Sequence, residues 1–267
     1  MNRPPALRRI LAIVCLGLCT PWVLAQGSLL DRVMATGEVR ICIWPDYYGI
    51  SFRNPRTQQL SGIDIDMANE LGKELRLPVR FIDSSFAQLA ADLLGDRCDL
   101  AMFAIGITPE RQQKLRFTRP HLSSDIHAIT TRSNRRIRDW QDIDRPGVVV
   151  AVAKGTYHES VMRERLQQAR LLVTETPKGR EQEVESGRAD VFMTDYPFSR
   201  RMLETTDWAR LIASPGTYHH TSYAYAVQPG DDAWHERVDN FVAAIKRDGR
   251  LLETAKRHKL DLIVARQ

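Results

Sequence analysis

Two successive rounds of short apolar strand and amphipathic helix run through this chain, and they constrain its fold more than any other feature. In the first round, residues 39–44 read as an apolar strand, Ile63–Leu75 as a helix, 79–82 as a strand, 86–94 as a helix, and 99–105 as an apolar run too short for a helix. Ile65, Met67, Ala68, Leu71 and Leu75 share one side of the first helix at its natural period. The second round follows a loop rich in Arg, Ser and Asn at 132–138. It reads as a strand at 148–152, a turn at Gly155-Thr156, a helix over 158–168, a strand at 171–174, a helix at 180–185 and a strand at 189–194. Such alternation implies parallel strands joined by helical crossovers.

Two further extended segments, 126–131 and 222–227, alternate in polarity, with Tyr223 and Tyr225 on one face of the second. They read as links between the halves. After a turn at Pro229-Gly230, helices over 233–260 would return to the first half. The expected fold class is α/β, with two α/β lobes joined by a two-strand hinge. Residues 26–127 and 226–267 form the first lobe in this reading, and 128–225 the second. A cleft at the carboxyl ends of both sheets is where open α/β sheets bind ligands.

The N-terminus bears on the compartment. Arg3, Arg8 and Arg9 precede an apolar run at 10–18 and a small-residue site at Val23-Leu24-Ala25, the three-part pattern of a secretory signal peptide over 1–25. The run is too short to span a bilayer. Cys15 and Cys19 follow Val14 and Leu18 rather than a small residue, which argues against lipidation. Removing 1–25 takes away three arginines and no acid, so the formal charge falls from +5 to +2, weak grounds for a polyanionic partner. No nucleic-acid partner is expected. Of the four cysteines Cys42 and Cys98 would remain, in an oxidising space where a pair persists as a disulfide. A structural disulfide and two buried thiols are the readings left open. Neither cysteine has metal-ligand spacing, and no metal or cofactor is expected.

Four blocks then carry a family resemblance. They are Gly62-Ile63-Asp64-Ile65-Asp66-Met67-Ala68; residues 99–120, with Thr108-Pro109-Glu110-Arg111 and Phe117-Thr118-Arg119-Pro120; Gly155-Thr156; and Gly187-Arg188-Ala189-Asp190 leading to Asp195. In this order and spacing the chain resembles family 3 of the bacterial extracellular solute-binding proteins, the amino-acid-binding branch, over nearly all of its length beyond the leader. The resemblance implies the type II periplasmic binding protein fold, a monomer in the periplasm, a small-molecule ligand such as an amino acid or similar carboxylate, and delivery to an inner-membrane ABC transporter permease.

By the same resemblance, Arg111, Asp195, Gly155 and Thr156 line the cleft. Arg111 offers a planar fork suited to a carboxylate. Asp195 follows an apolar strand and can meet an ammonium. Gly155 and Thr156 open a helix whose free amides favour an anion. Read alone, Arg111 is a solvated residue behind a Thr108 cap, and Asp195 a turn or cap residue. Tyr47 and Phe86 stand on loops at strand ends, facing the ligand side chain, while Trp44 reads equally as core. Gly106 departs from the family, which usually has a hydroxyl there, so a ligand contact is missing and only backbone amides remain. Trp44 also stands where basic-amino-acid binders of the family carry an acid. The expected side chain is therefore neutral, aromatic or large aliphatic, rather than Lys, Arg or His.

Two rivals share the resemblance. Cyclohexadienyl dehydratases have this fold and need a general acid. That branch carries a glutamate where this chain has Phe198 and an asparagine where it has Tyr157; His158 reads as a surface residue at a helix start. Cys42 and Cys98 also resemble positions in accessory binding proteins of quinoprotein dehydrogenases, which lose the arginine element that Arg111 retains. No enzyme activity is expected.

Overall fold

The computed structural model describes residues 27–176 and 178–265. The leader pattern at 1–25 lies outside these residues. The first lobe begins with α1 (Leu29–Thr36), β1 (Val39–Ile43), β2 (Asp46–Tyr47), β3 (Ser51–Arg53), β4 (Leu60–Ser61), α2 (Ile63–Leu75), β5 (Val79–Asp83), α3 (Leu89–Leu94) and β6 (Leu100–Gly106). It continues through α4 (Pro109–Gln112), β7 (Arg116–Phe117) and β8 (Leu122–Ser124). The second lobe contains β9 (His127–Thr131), β10 (Val149–Ala153), α5 (Tyr157–Arg165), β11 (Arg170–Thr174), α6 (Gly179–Glu185), β12 (Val191–Thr194), α7 (Tyr196–Thr205) and β13 (Ala209–Ile212). The chain then returns to the first lobe as β14 (Thr221–Val227), α8 (Asp232–Arg247) and α9 (Arg250–Arg257).

The two main sheets repeat one plan. In the first, β1 lies between β5 and β6, all three parallel, and β14 runs antiparallel beside β6. In the second, β10 lies between β11 and β12, all parallel, and β9 runs antiparallel beside β12. Every residue of β6 is buried, as a strand covered on both faces requires. The helix α2 covers the first sheet with Ile63, Ile65, Met67, Ala68, Leu71 and Leu75. Its start demands a glycine: Gly62 has φ 131°, and a Cβ there would stand 2.3 Å from the Ile50 carbonyl oxygen. Trp234 of α8 donates its indole N–H to the Asp99 carbonyl at 2.7 Å, fastening the returning helix to the first lobe. Cys42 and Cys98 are disulfide-bonded, with Cα atoms 5.6 Å apart, tying β1 to the approach to β6.

The crossings between lobes differ from the sequence reading. The chain leaves the first sheet after β8 and enters the second at His127, so the first crossing is very short. It returns through 213–220, and the whole of β14 pairs within the first sheet, with β6 on one edge and β7 and β8 on the other. The division expected at 225 thus falls inside a central strand. Alternation identified the strand but not its sheet, because both faces of 223–227 are buried. Two helix limits also move. Residues 86–88 precede α3, and α5 stops at Arg165 because the Asp144 carboxylate accepts the N–H groups of Gln167, Gln168 and Ala169 at 2.8–3.0 Å.

Candidate functional site

Each main sheet delivers its site residues at the carboxyl ends of its strands. On the first lobe, Trp44 follows β1, Tyr47 lies in β2 and Phe86 occupies the loop after β5. Phe86 packs edge-on against both other rings, with centroids 5.2 Å from Trp44 and 6.0 Å from Tyr47, and Trp44 and Tyr47 are tilted at 5.4 Å. Phe103 backs Phe86 at 5.0 Å. The wall is therefore rigid, held by ring contacts from two loops and a strand. Trp44, which the sequence left equally to core and cleft, does both: it is 6 % exposed and lines the cavity between the lobes.

Asp195 ends β12 and caps α7, its Oδ1 accepting from Phe198 N at 3.2 Å, with Pro197 in the first turn. Its other oxygen accepts from two tyrosines of the opposite lobe: Tyr47 directly, and Tyr223 at 2.8 Å. Tyr157 of the second lobe joins them, 3.2 Å from the Tyr223 hydroxyl. Burial, reinforced by the Asp195 charge, holds Tyr47, Tyr157 and Tyr223 well above the ordinary phenol value. All three hydroxyls thus keep their protons. The carboxylate of Asp195 is an acceptor inside a hydroxyl cluster that closes the cleft.

Arg111 lies in the short helix α4. Thr108 Oγ1 accepts its backbone N–H at 3.3 Å, so the cap read from the sequence is present. Its guanidinium is nonetheless not simply solvated. It donates to the Gly106 carbonyl at 2.7 Å and, across the lobe boundary, to the Gly155 carbonyl at 2.9 Å, and it lies 5.4 Å from the Phe86 ring centroid. Desolvation pushes its pKa down to about 10, which leaves it charged at neutral pH.

The glycines explain why the lobes approach so closely. Gly155 has φ +75°, and a Cβ there would fall 2.5 Å from Ala87 N, so backbone touches backbone across the cleft. A Cβ at Gly106 would crowd Tyr157 Cδ1 at 3.2 Å and Thr221 Cγ2 at 3.1 Å, a steric account of the missing hydroxyl. Thr156 does not aim its hydroxyl into the cleft: it donates to the Ala153 carbonyl at 2.7 Å. Nor is the Gly155 amide open to a ligand, because Glu159 Oε2 accepts it at 2.7 Å. The start of α5 already carries a carboxylate of its own.

The inner cavity, with room for about one water molecule, is lined by Trp44, Tyr47, Phe86 and Ala104 from the first lobe. Thr156, Tyr157, His158, Arg180, Thr194 and Asp195 line it from the second. Arg111 lines a separate groove between α4 and α5, of about 300 Å³. Phe86, Thr156 and Tyr157 border both spaces, so they stand between Arg111 and Asp195. His158, expected at the surface, is 5 % exposed. Sequence reasoning missed Arg180 and Thr194 as cavity residues, and Tyr223 as a partner of Asp195. Tyr223 carried a signal, its place in an alternating strand near the cleft; Arg180 carried none, since an arginine in a short charged helix reads as solvated. Among the described residues, no group of three or more His, Cys, Asp or Glu side chains is placed to hold a metal ion.

The comparisons agree with this architecture. Cyclohexadienyl dehydratase from Pseudomonas aeruginosa is 31 % identical over 97 % of this chain and 96 % of its own length. The L-cystine-binding protein of Escherichia coli is 22 % identical over 92 % of this chain and 91 % of its own. Among solved structures, an ancestral amino acid-binding protein described as a precursor of cyclohexadienyl dehydratase superposes with a TM-score of 0.79 at 29 % identity, covering 86 % of this chain and 99 % of that one. The fold is that of the two-lobed type II periplasmic binding proteins. Residues 39–260 match the family directly, and the chain belongs to the bacterial extracellular solute-binding proteins, family 3.

Proposed function

We propose that the protein captures an amino acid or similar small carboxylate in the periplasm and presents it to an inner-membrane ABC transporter permease. One observation carries this reading. Arg111 of the first lobe and Asp195 of the second both lie on the lobe boundary, and each already bridges it, Arg111 to the Gly155 carbonyl and Asp195 to Tyr47 and Tyr223. A free amino acid presents a carboxylate and an ammonium, the two groups that would replace these bridges. The lobes would part, withdrawing Tyr157 from between the two charges, and close again on the ligand. A thermal-shift screen of the proteinogenic amino acids and their oxo-acid counterparts tests this. A ligand that binds the folded state raises the melting temperature. A rise confined to a few members is expected; no rise with any would contradict the reading.

A dehydratase is the second reading, favoured by the relative of that name. The chemistry around the cavity speaks for binding without turnover. Phe198 supplies no carboxyl group and is buried. The three tyrosines are held as very weak acids, and burial keeps His158 well below its ordinary value, so it is not the imidazolium that a general acid would need to be at neutral pH.

A further inference from the structure

We infer that the cleft carries a second anion-binding subsite, built on Arg180 with His158 and Thr194, and that the solute therefore bears a second carboxylate. The inference deepens the binding function proposed above and rests on it.

Arg180 lies in the first turn of α6 and is 2 % exposed. A guanidinium has five N–H donors, and at this depth they need acceptors. Nε donates to Glu181 Oε1 at 3.3 Å and Nη1 to the Met193 carbonyl at 3.0 Å. The rings of Phe198 and Phe192 lie 4.2 and 5.3 Å from the guanidinium carbon and fix its plane. Nη2 makes no hydrogen bond among the described residues. Beside it, His158 is buried with neither ring nitrogen satisfied at normal geometry, the Thr194 backbone being the nearest alternative. Burial, then the Arg180 charge, keep that ring neutral, with one N–H to give. Thr194 Oγ1 is also buried without a partner.

These side chains meet at one cavity, opposite the aromatic wall. Buried polar groups are almost always paired, so three incompletely used donor groups converging on one space call for an acceptor. Asp195 lines the same cavity but forms no ion pair with Arg180 among the described residues; its oxygens are taken by Tyr47, Tyr223 and Phe198 N. Glu181 pairs with the Nε edge at 3.3 Å, and its Oε2, buried without a partner, does not reach Nη2. A neutral ligand end would leave the guanidinium half-used, whereas a carboxylate accepts from Nη2, the Thr194 hydroxyl and the imidazole N–H together. The subsite keeps the exclusion of basic side chains read from the sequence and replaces the neutral end with an acidic one.

The test is calorimetry on the purified chain with matched probes that differ in the distal carboxylate: glutamate against glutamine, oxoglutarate against oxovalerate, and para-carboxyphenylalanine against phenylalanine. At least one diacid should bind about tenfold or more tighter than its neutral partner. Arg180→Met should abolish that preference by weakening the diacid alone. Should that variant not fold, Arg180→Lys, which keeps the charge without the fork, is expected to lose most of the preference. Neutral partners binding as tightly as the diacids in every pair, or a preference that survives Arg180→Met, would overturn the subsite. If neutral amino acids bind and no diacid does, the subsite fails alone. If no member of any pair binds, it fails together with the proposed function.

Discussion

The two lobes repeat one sheet plan, yet they bring opposite chemistry to the surface where they meet. The first lobe offers a wall of Trp44, Tyr47 and Phe86 and, outside it, the guanidinium of Arg111. The second offers Asp195, Arg180, His158 and Thr194, polar groups buried at the cavity. The first lobe is also stapled by the Cys42–Cys98 bond, and the second has no cysteine. The shared topology positions strand ends; the residues placed on them divide the work. Stacked rings discriminate by shape, whereas buried charges discriminate by the ligand's own charges, which is why a cleft can combine both without conflict.

Changes on the charged sides should break this division most severely. Arg111→Ala is expected to weaken the ligand by about 3 kcal/mol, roughly a hundredfold, and Arg111→Lys almost as much, because lysine lacks the bidentate fork. Calorimetry showing wild-type affinity for Arg111→Ala would remove Arg111 from the site. Asp195→Asn should cost amino acids about tenfold or more while retaining the cap on α7, since asparagine caps as well as aspartate. Oxo acids, which have no ammonium, should lose much less. Equal losses for both ligand classes would mean that Asp195 acts only through the fold.

The disulfide sharpens the contrast in stability rather than in binding. Reduction, or Cys42→Ser with Cys98→Ser, should lower unfolding stability by about 2–4 kcal/mol. Amide exchange should quicken in the first lobe and not in the second, with affinity unchanged. Mass spectrometry of exported protein after denaturing alkylation should find no free thiol at either position; two free thiols would refute the bond. The smallest expected signal is none: cyclohexadienyl substrates should yield no aromatic product. Turnover at a rate that tracks pure protein would move the chain to the enzyme reading and require a proton donor at a place other than position 198, where phenylalanine has none to give.

Much of this division was legible in the sequence, and the physical reasons for the rest are specific. The all-buried β6 and the striped α2 announce themselves through periodicity, because burial on two faces and on one leaves different patterns. Asp195 stands directly after an apolar strand and Gly155 two residues after one, so the topology alone carries them to the cleft. The helical pattern extends back to Phe86, whereas its place at a strand end puts it on a loop; it stands free of α3, and that freedom lets it face Trp44 and Tyr47. Tyr223 was read as part of a hinge, because alternation shows a strand without naming its neighbours. Arg180 and His158 were not legible as buried. Their burial depends on tertiary cover, such as the ring of Phe198 from α7 over Arg180, and nothing local in a short charged helix encodes that cover.

The central claim is that a ligand carboxylate joins the two lobes through Arg111. It is tested most directly by titrating the purified chain with its best-shifting ligand and with the same ligand blocked as its carboxamide at the carboxylate assigned to Arg111. The account predicts that the blocked form binds about a hundredfold more weakly or not at all. A carboxamide that binds as tightly as the free acid would contradict it.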